Sequence, residues 1–248
     1  VILPESLLPV LAIAFLAGLI QGLSGFGSAL VAVPLLLMLL PAETVVPLMA
    51  LLGLAISAFN LPHLHHAVQF APVARLLAGY LLGTPVGLFF LTRAPENLVL
   101  GTLGLLISAY ALLALLGRQP RSAWLRNRQI GLGAISGALG AAFSTNGPPV
   151  ILHVAAHREW EPDRQKATLV LFFLLSSGIT VLAHAAGGLV TREVVRWFLW
   201  STPALLLGTL TGIWLYRRLG EHGYRRLTYG LVLAMGAMLL ARSLSRLA

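Results

Sequence analysis

Two short runs of glycine and polar residues interrupt apolar stretches of this chain, and their side chains and backbone offer its clearest chemistry. The first run is Ser24-Gly25-Phe26-Gly27-Ser28, inside a segment, residues 7–40, that carries no charge. The second run is Ser144-Thr145-Asn146-Gly147-Pro148-Pro149. Because glycine weakens a helix and proline ends one, each run predicts a break between two helices.

Helix breaks of this kind favour the binding of an anion. The helix that follows a break begins with unpaired N–H groups and partial positive charge, and neighbouring hydroxyl and amide groups add donors. Within hydrocarbon, broken helices are tolerated only where protein buries them or where they line a wet cavity. We therefore predict a substrate site at the two breaks, formed by Gln21, Ser24, Gly25, Gly27, Ser28, Ser144, Thr145, Asn146 and Gly147. For Gln21, a bond to a neighbouring backbone group is the alternative.

Polar residues of the adjoining segments are further candidates for the cavity wall, namely Ser57, Asn60, Ser177 and Thr180. The alternative for the hydroxyl groups is a hydrogen bond to the carbonyl four residues earlier in their own helix. His153, in the short segment after the second break, is a candidate for carrying a proton in coupled transport. The alternative for His153 is a structural role.

Other chemistries find little support in the sequence. His63, His65 and His66 are close together, but no cysteine or carboxylate stands beside them, so an interfacial loop is favoured over a metal site. No paired acids, nucleophile with a base, or phosphate-binding loop is recognisable. The sequence therefore predicts neither an enzyme nor a bound cofactor or metal, and it shows no nucleic-acid-binding motif.

The elements that position these residues follow from composition. The chain is 58% hydrophobic and 10% charged, whereas soluble domains carry about 25% charged residues. The charges lie in short loops between apolar runs of roughly 20 residues, the length that spans a bilayer. We predict an all-α, polytopic integral membrane protein, whose net charge of +9 concerns topology and contact with membrane lipids.

The predicted full spans are residues 44–61, 73–91, 97–116, 167–186, 194–216 and 227–244. Basic loops are predicted at residues 117–129 and 217–226, and the positive-inside rule places both in the cytoplasm. The second hairpin is predicted to be re-entrant, because its second arm, residues 150–156, is too short to cross. The first hairpin has longer predicted arms, which are compatible with a full crossing of the membrane.

The glycine pattern also indicates an internal duplication. Gly18, Gly22, Gly25 and Pro34 match Gly133, Gly137, Gly140 and Pro149, while Gly83 and Gly87 match Gly208 and Gly212. Close helix packing alone is the alternative explanation of these glycines. With a broken hairpin and three spans in each copy, the two repeats have inverted topology. We predict a first repeat at 1–117, a cytoplasmic hinge at 118–129 and a second repeat at 130–248.

The duplicated glycine motif followed by proline resembles the sulfite exporter TauE/SafE family, also called toluenesulfonate uptake permeases. Arg164-Gln165-Lys166-Ala167-Thr168 is similar to the element that follows the second motif in that family. The resemblance implies a multi-pass transporter of the bacterial inner membrane that exports sulfite, or a related organosulfonate or thiosulfate, by alternating access. An anion channel and a membrane sensor or assembly subunit without flux are the alternatives, and a homodimer is plausible for a carrier of this size.

Overall fold

The computed structural model describes residues 6–61, 69–116, 126–157 and 159–245. Its main elements are the helices α1 (Leu7–Ser24), α2 (Ser28–Leu36), α3 (Ala42–Asn60), α4 (Phe70–Arg93), α5 (Glu96–Leu115), α6 (Gln129–Phe143), α7 (Gly147–Ala155), α8 (Pro162–Ala186) and α9 (Arg192–Ser245). Within these ranges the chain forms no strand, so the predicted all-α class is confirmed.

Five helical segments of the described chain are long and apolar enough to cross a membrane: Ala42–Asn60, Phe70–Arg93, Glu96–Leu113, Arg164–Ala186 and Arg192–Leu215. Each of them overlaps a predicted span over most of its length. Large apolar side chains stand exposed on their outward faces, for example Phe89 and Leu182. Such a surface suits contact with lipid rather than with water, and the prediction of a polytopic membrane protein is confirmed.

Both predicted helix breaks are confirmed. The helix α1 ends at Ser24, and the two glycines that follow have positive φ angles, 76° at Gly25 and 93° at Gly27. L-residues rarely adopt these angles, so glycine is the residue type that allows the chain to turn here. The second break turns at Ser144, which has a φ of 52°.

The second arms of the two hairpins have equal length, which corrects the expectation for the first hairpin. The helices α2 and α7 have nine residues each, or about 13 Å of helix against a hydrocarbon core of about 30 Å. The helix α2 ends at Leu36 because a turn leads from there into α3, which begins after Pro41. The helix α7 begins at Gly147, earlier than predicted, because the first turn of a helix accepts the two prolines.

Glycines bring α1 and the first part of α9 into close, parallel contact. Gly18 lies against the backbone of Leu205, and Gly22 lies against the backbone of Thr209. A Cβ atom on either glycine would collide with the facing carbonyl oxygen. The glycines are therefore required for this close approach, as is common between apolar helices.

The helices α4 and α6 form a second parallel pair of the same kind. Gly133 lies against the backbone of Leu76, and Gly137 lies against the backbone of Tyr80. At the start of the pair, the Arg75 guanidinium donates a hydrogen bond of 3.3 Å to the Gln129 side chain. Both helices therefore begin at the same side of the molecule.

The two pairs correspond in a register that differs from the predicted one by one helical turn. The left-handed residue that ends α1 is Gly25, and the one that ends α6 is Ser144. Counted from these residues, Gly18 corresponds to Gly137 and not, as the motif suggested, to Gly133. The packing partners agree with this register. The residue that Gly18 contacts in α9 and the residue that Gly137 contacts in α4 each lie three positions before a Gly-Thr-x-x-Gly segment.

The last helix, α9, contains the last two predicted spans, between which a loop was predicted. Residues 217–226 were predicted to form a basic loop, but the helix α9 continues through them. Four of these ten residues are arginine, which is a good helix former, and they contain no proline, so the helix can continue despite two glycines. The final part of α9 packs antiparallel to α5: Gly104 lies against Gly236, and the Ser243 hydroxyl donates to the Asn97 carbonyl at 2.8 Å.

The apolar interior is divided into two clusters. The larger cluster is built from α1, α2, α3, α5, α9 and the end of α6, and the smaller one from α4, α6, α7 and α8. The first hairpin therefore packs mainly with α9, while the second packs mainly with α4 and α8. Phe26, at the first break, packs against both clusters and lies where they meet.

Candidate functional site

A cavity of about 60 Å³ lies between the two hairpin tips. For comparison, about 10–15 Å³ of such volume holds one water molecule, so the cavity has room for a compact group of about four to six atoms. Its walls come from both breaks and from α3, α4 and α8. The two halves of the chain thus contribute to a single chamber, as the sequence predicted.

Ten of the predicted site residues line this cavity: Gln21, Gly27, Ser28, Ser57, Ser144, Thr145, Asn146, Gly147, Ser177 and Thr180. Others do not. Gly25 is exposed on the far side of the turn, and Asn60 donates its amide to the Ile56 carbonyl at 2.9 Å. The side chain of Ser24 and the residues His63, His65 and His66 lie outside the described part of the structure.

His153 does not reach the cavity wall, although it lies in α7. Its ring is fully buried and meets the His157 ring edge to face, with centroids 4.8 Å apart. The His157 ring stacks in turn on Trp160, and its Nδ1 lies 3.0 Å from the His153 carbonyl oxygen. A role of His153 in carrying protons stays a prediction.

The first tip is held by Gln21, which forms two hydrogen bonds within its own hairpin. The Gln21 amide donates to the Gly25 carbonyl at 3.1 Å, and its Oε1 accepts from the Ser28 backbone N–H at 3.4 Å. The expected bond to neighbouring backbone is therefore confirmed. Gln21 also lines the cavity, and its role in binding substrate stays a prediction. Its oxygen occupies a place at the start of α2 that an anion would favour.

The second tip is hydrogen-bonded to two neighbouring helices, α3 and α8, and to the first arm of its own hairpin, α6. The Ser144 hydroxyl donates to the Val46 carbonyl of α3 at 2.7 Å, and the Asn146 amide donates to the Ser176 hydroxyl of α8 at 2.8 Å. The Ser136 hydroxyl of α6 donates to the Asn146 carbonyl. Ser136 and Ser176 were not predicted as site residues, and both are fully buried.

The two short helices offer different numbers of backbone donors to the cavity. The first N–H groups of a helix have no partner within it, and at α2 they belong to Gly27, Ser28, Ala29 and Leu30. The Ser28 N–H is the one that donates to Gln21 Oε1. At α7, Pro148 and Pro149 occupy two of the equivalent places and have no N–H. The start of α2 is therefore the richer source of backbone donors.

Three buried hydroxyl groups complete the donor set. Ser57 of α3, Ser177 of α8 and Thr145 of the second tip line the cavity, and they are 4%, 8% and 6% exposed. A hydroxyl can donate a hydrogen bond to a group inside the cavity and can also accept one from it. The position of these three hydroxyls suits a polar occupant.

Tyr80 is a wall residue that the sequence did not reveal. Its hydroxyl shares a hydrogen bond of 2.6 Å with the Thr180 hydroxyl, and its ring packs edge to face on Phe172. A Cβ at position 140 would collide with the Tyr80 hydroxyl, so Gly140 makes room for it. The only signal in the sequence was the position of Tyr80 one turn before the Gly83 motif.

The described residues that line the cavity carry no formal charge. Among the described residues there is also no group of three or more histidine, cysteine, aspartate or glutamate side chains placed to hold a metal ion. What the wall offers is hydroxyl, amide and backbone N–H donors beside apolar side chains such as Met49 and Phe173. This arrangement suits reversible binding of a small anion.

The sequence profile of the family described as Sulfite exporter TauE/SafE matches residues 10–239 of the chain. The matched part includes both hairpins and all five membrane-crossing segments. No curated protein and no solved structure matches the chain.

Proposed function

Because the chain belongs to the sulfite exporter TauE/SafE family, we propose that it is a secondary transporter that exports sulfite or a related small sulfur-containing anion. The family is one of transporters, and the chain is a multi-pass membrane protein with an apolar exterior. The finer points, which are the substrate, the inner-membrane location and alternating access, are part of the proposal.

The observation that carries the proposal is the meeting of both hairpin tips in one cavity lined by neutral donors. A compact oxyanion such as sulfite suits its volume of about 60 Å³, whereas an arenesulfonate with its ring would need the walls to move. Binding by dipoles and hydroxyls, without a buried cation, allows release as well as capture. A carrier requires both.

The parallel helix pairs support an inverted repeat. The helices α4 and α6 begin at the same side, beside Arg75 and Gln129, and α1 runs parallel to the first part of α9. If the basic segment before α6 is cytoplasmic, the two hairpins enter the membrane from opposite faces. Each hairpin then packs against a helix from the other repeat.

In this mechanism the two apolar clusters are the bodies that rock against each other, with the cavity between them. The larger body holds the first hairpin, and the smaller one holds most of the second hairpin, whose α6 end also contacts the larger body. Relative movement of the two bodies would open the cavity to one side or the other. The membrane potential, negative inside, favours anion export by about 2.3 kcal/mol per charge and 100 mV.

Sulfite flux in proteoliposomes tests the proposal, with Asn146→Asp compared to wild type. A carboxylate at this position lies in the cavity wall, and a like charge within about 4 Å opposes the anion by about 4 kcal/mol at an effective dielectric constant of 20. We expect saturable wild-type flux with counterflow, and a loss of more than about a hundredfold in the variant.

Asn60→Asp is the matched control, because Asn60 lies at the end of α3 away from the cavity and its substitution should leave flux within about threefold of wild type. Flux that does not saturate would indicate a channel. Full activity of Asn146→Asp would show that the substrate does not bind beside residue 146. No flux of sulfite, thiosulfate or organosulfonates would contradict the transporter function.

A further inference from the structure

The described wall of the cavity offers uncharged hydrogen-bond donors and no cation to its occupant. Its polar groups are the amides of Gln21 and Asn146, the backbone N–H groups at the start of α2, and hydroxyls. The titratable group among the described wall residues is Tyr80, a phenol that is neutral near pH 7. His153 and His184 are buried behind the wall and do not line it.

Neutral donors distinguish anions by charge. The free energy needed to move an ion out of water grows with the square of its charge. The attraction between the ion and a set of fixed dipoles grows only in proportion to the charge. Relative to the hydration that it loses, a dianion therefore gains less from these donors than a monoanion does. A monoanion of the same shape comes much closer to balance.

We propose that the cavity selects singly charged oxyanions, and that the transported form of sulfite is hydrogensulfite. This rests on the proposed function and narrows it to one charge state of the substrate. The buried hydroxyls fit the protonated anion as well, because a serine or threonine hydroxyl accepts as well as donates. Ser57, Ser177 and Thr145 place such hydroxyls on the cavity wall.

Selection of hydrogensulfite would couple export of the anion to movement of a proton. Sulfite takes up a proton near neutral pH, so export of hydrogensulfite carries that proton across the membrane together with the anion. Flux then depends on pH through the substrate itself. No histidine has to be protonated and deprotonated at the cavity during each cycle.

The experiment uses perchlorate and sulfate, which have the same tetrahedral shape and differ in charge, as competitors of radiolabelled sulfite in proteoliposomes. We expect perchlorate to inhibit at concentrations at least about tenfold lower than sulfate. We also expect the apparent affinity for sulfite to fall from mildly acidic to mildly alkaline pH. Inhibition by perchlorate, whose charge does not change over this range, should stay constant.

Ser177→Ala controls for an unspecific effect of perchlorate on the membrane, since it removes one wall hydroxyl and should weaken inhibition by perchlorate severalfold. Sulfate as potent as perchlorate, unchanged perchlorate inhibition in Ser177→Ala, or sulfite affinity that rises with pH would overturn the selection of monoanions while leaving the transporter function intact. Absence of sulfite flux in the wild type would instead refute the proposed function and this inference with it.

Discussion

The two hairpin tips face the same cavity but are held in opposite ways. The second tip is fastened to its surroundings, because Ser144 bonds α3, Asn146 bonds α8 and Ser136 of α6 bonds the tip backbone. The side-chain hydrogen bonds described for the first tip both come from Gln21, in the same hairpin. The second tip is thus anchored to two helices outside its hairpin, α3 and α8, whereas the side-chain bonds described for the first tip stay within its own hairpin.

The less firmly anchored first tip has more backbone N–H donors than the second. The loosely held first tip has four backbone N–H groups at the start of α2, while prolines remove two of the corresponding groups at α7. We infer a division of labour in which the first tip binds the charge and the second fixes the shape of the chamber. A tip that must bind and release gains from freedom to adjust, whereas a supporting wall gains from rigidity.

Ser28→Pro would make the first tip resemble the second, and it should have the largest effect on binding. Proline suits the first position of a helix, so α2 should still form, but the backbone N–H of residue 28 is lost. In the structure this N–H donates to Gln21 Oε1, and we expect an anion at this place to take the hydrogen bond over. A hydrogen bond to a charged group contributes about 1.5–3 kcal/mol, so we expect sulfite affinity in a flux assay to fall about tenfold to a hundredfold.

Ser28→Ala is the control for this substitution, because it keeps the N–H and removes only the hydroxyl. It should reduce affinity by less than about fivefold. Equal losses in the two variants would show that the backbone N–H of residue 28 does not bind the anion.

Gly27→Ala tests whether the shape of the first tip depends on glycine. The residue has a φ of 93°, and a side chain in the left-handed region costs about 1–2 kcal/mol. We expect the free energy of unfolding in detergent to fall by that amount. Gly131→Ala, in a helix with no atom near the added Cβ, should instead raise it by about 0.5–1 kcal/mol. The same change in both variants would contradict a special conformation at Gly27.

The sequence located both tips but not their correspondence. Glycine, proline and small polar residues are poor helix formers wherever they cluster, so the breaks were visible from local composition. The register of the duplication was not, because glycines recur every four residues in α1 and α6, and a pattern with that spacing matches itself after a shift of one turn. Only the position of the break, at Gly25 and Ser144, fixes the register.

Some residues of the cavity wall could be predicted from the sequence, and others could not. Ser57, Ser177 and Thr180 stand out as polar residues in apolar helices, and they line the cavity. Tyr80 is one aromatic residue among many, and it reaches the wall because α4 packs closely on glycines of α6. A contact that depends on the packing of two distant segments leaves no local pattern in the sequence.

Ser144→Ala probes the anchoring of the second tip. It removes the hydrogen bond to the Val46 carbonyl, which should lower the free energy of unfolding by about 1 kcal/mol. Flux should stay within about threefold of wild type, because two other bonds still hold the tip. Thr202→Ala, which removes a bond within α9 away from the cavity, serves as the comparison. A collapse of flux in Ser144→Ala without loss of stability would make Ser144 a ligand rather than an anchor.

Pro148→Ala makes the reverse change to Ser28→Pro and should have the smallest effect. It restores a backbone N–H at the second tip, in a residue that lines the cavity, and alanine is compatible with the first turn of α7. If the first tip binds the charge, the added donor lies too far from it to matter, and sulfite affinity should change by less than about threefold. A gain as large as the loss in Ser28→Pro would instead show that both tips bind the charge, and that the prolines weaken the second half of a symmetric site.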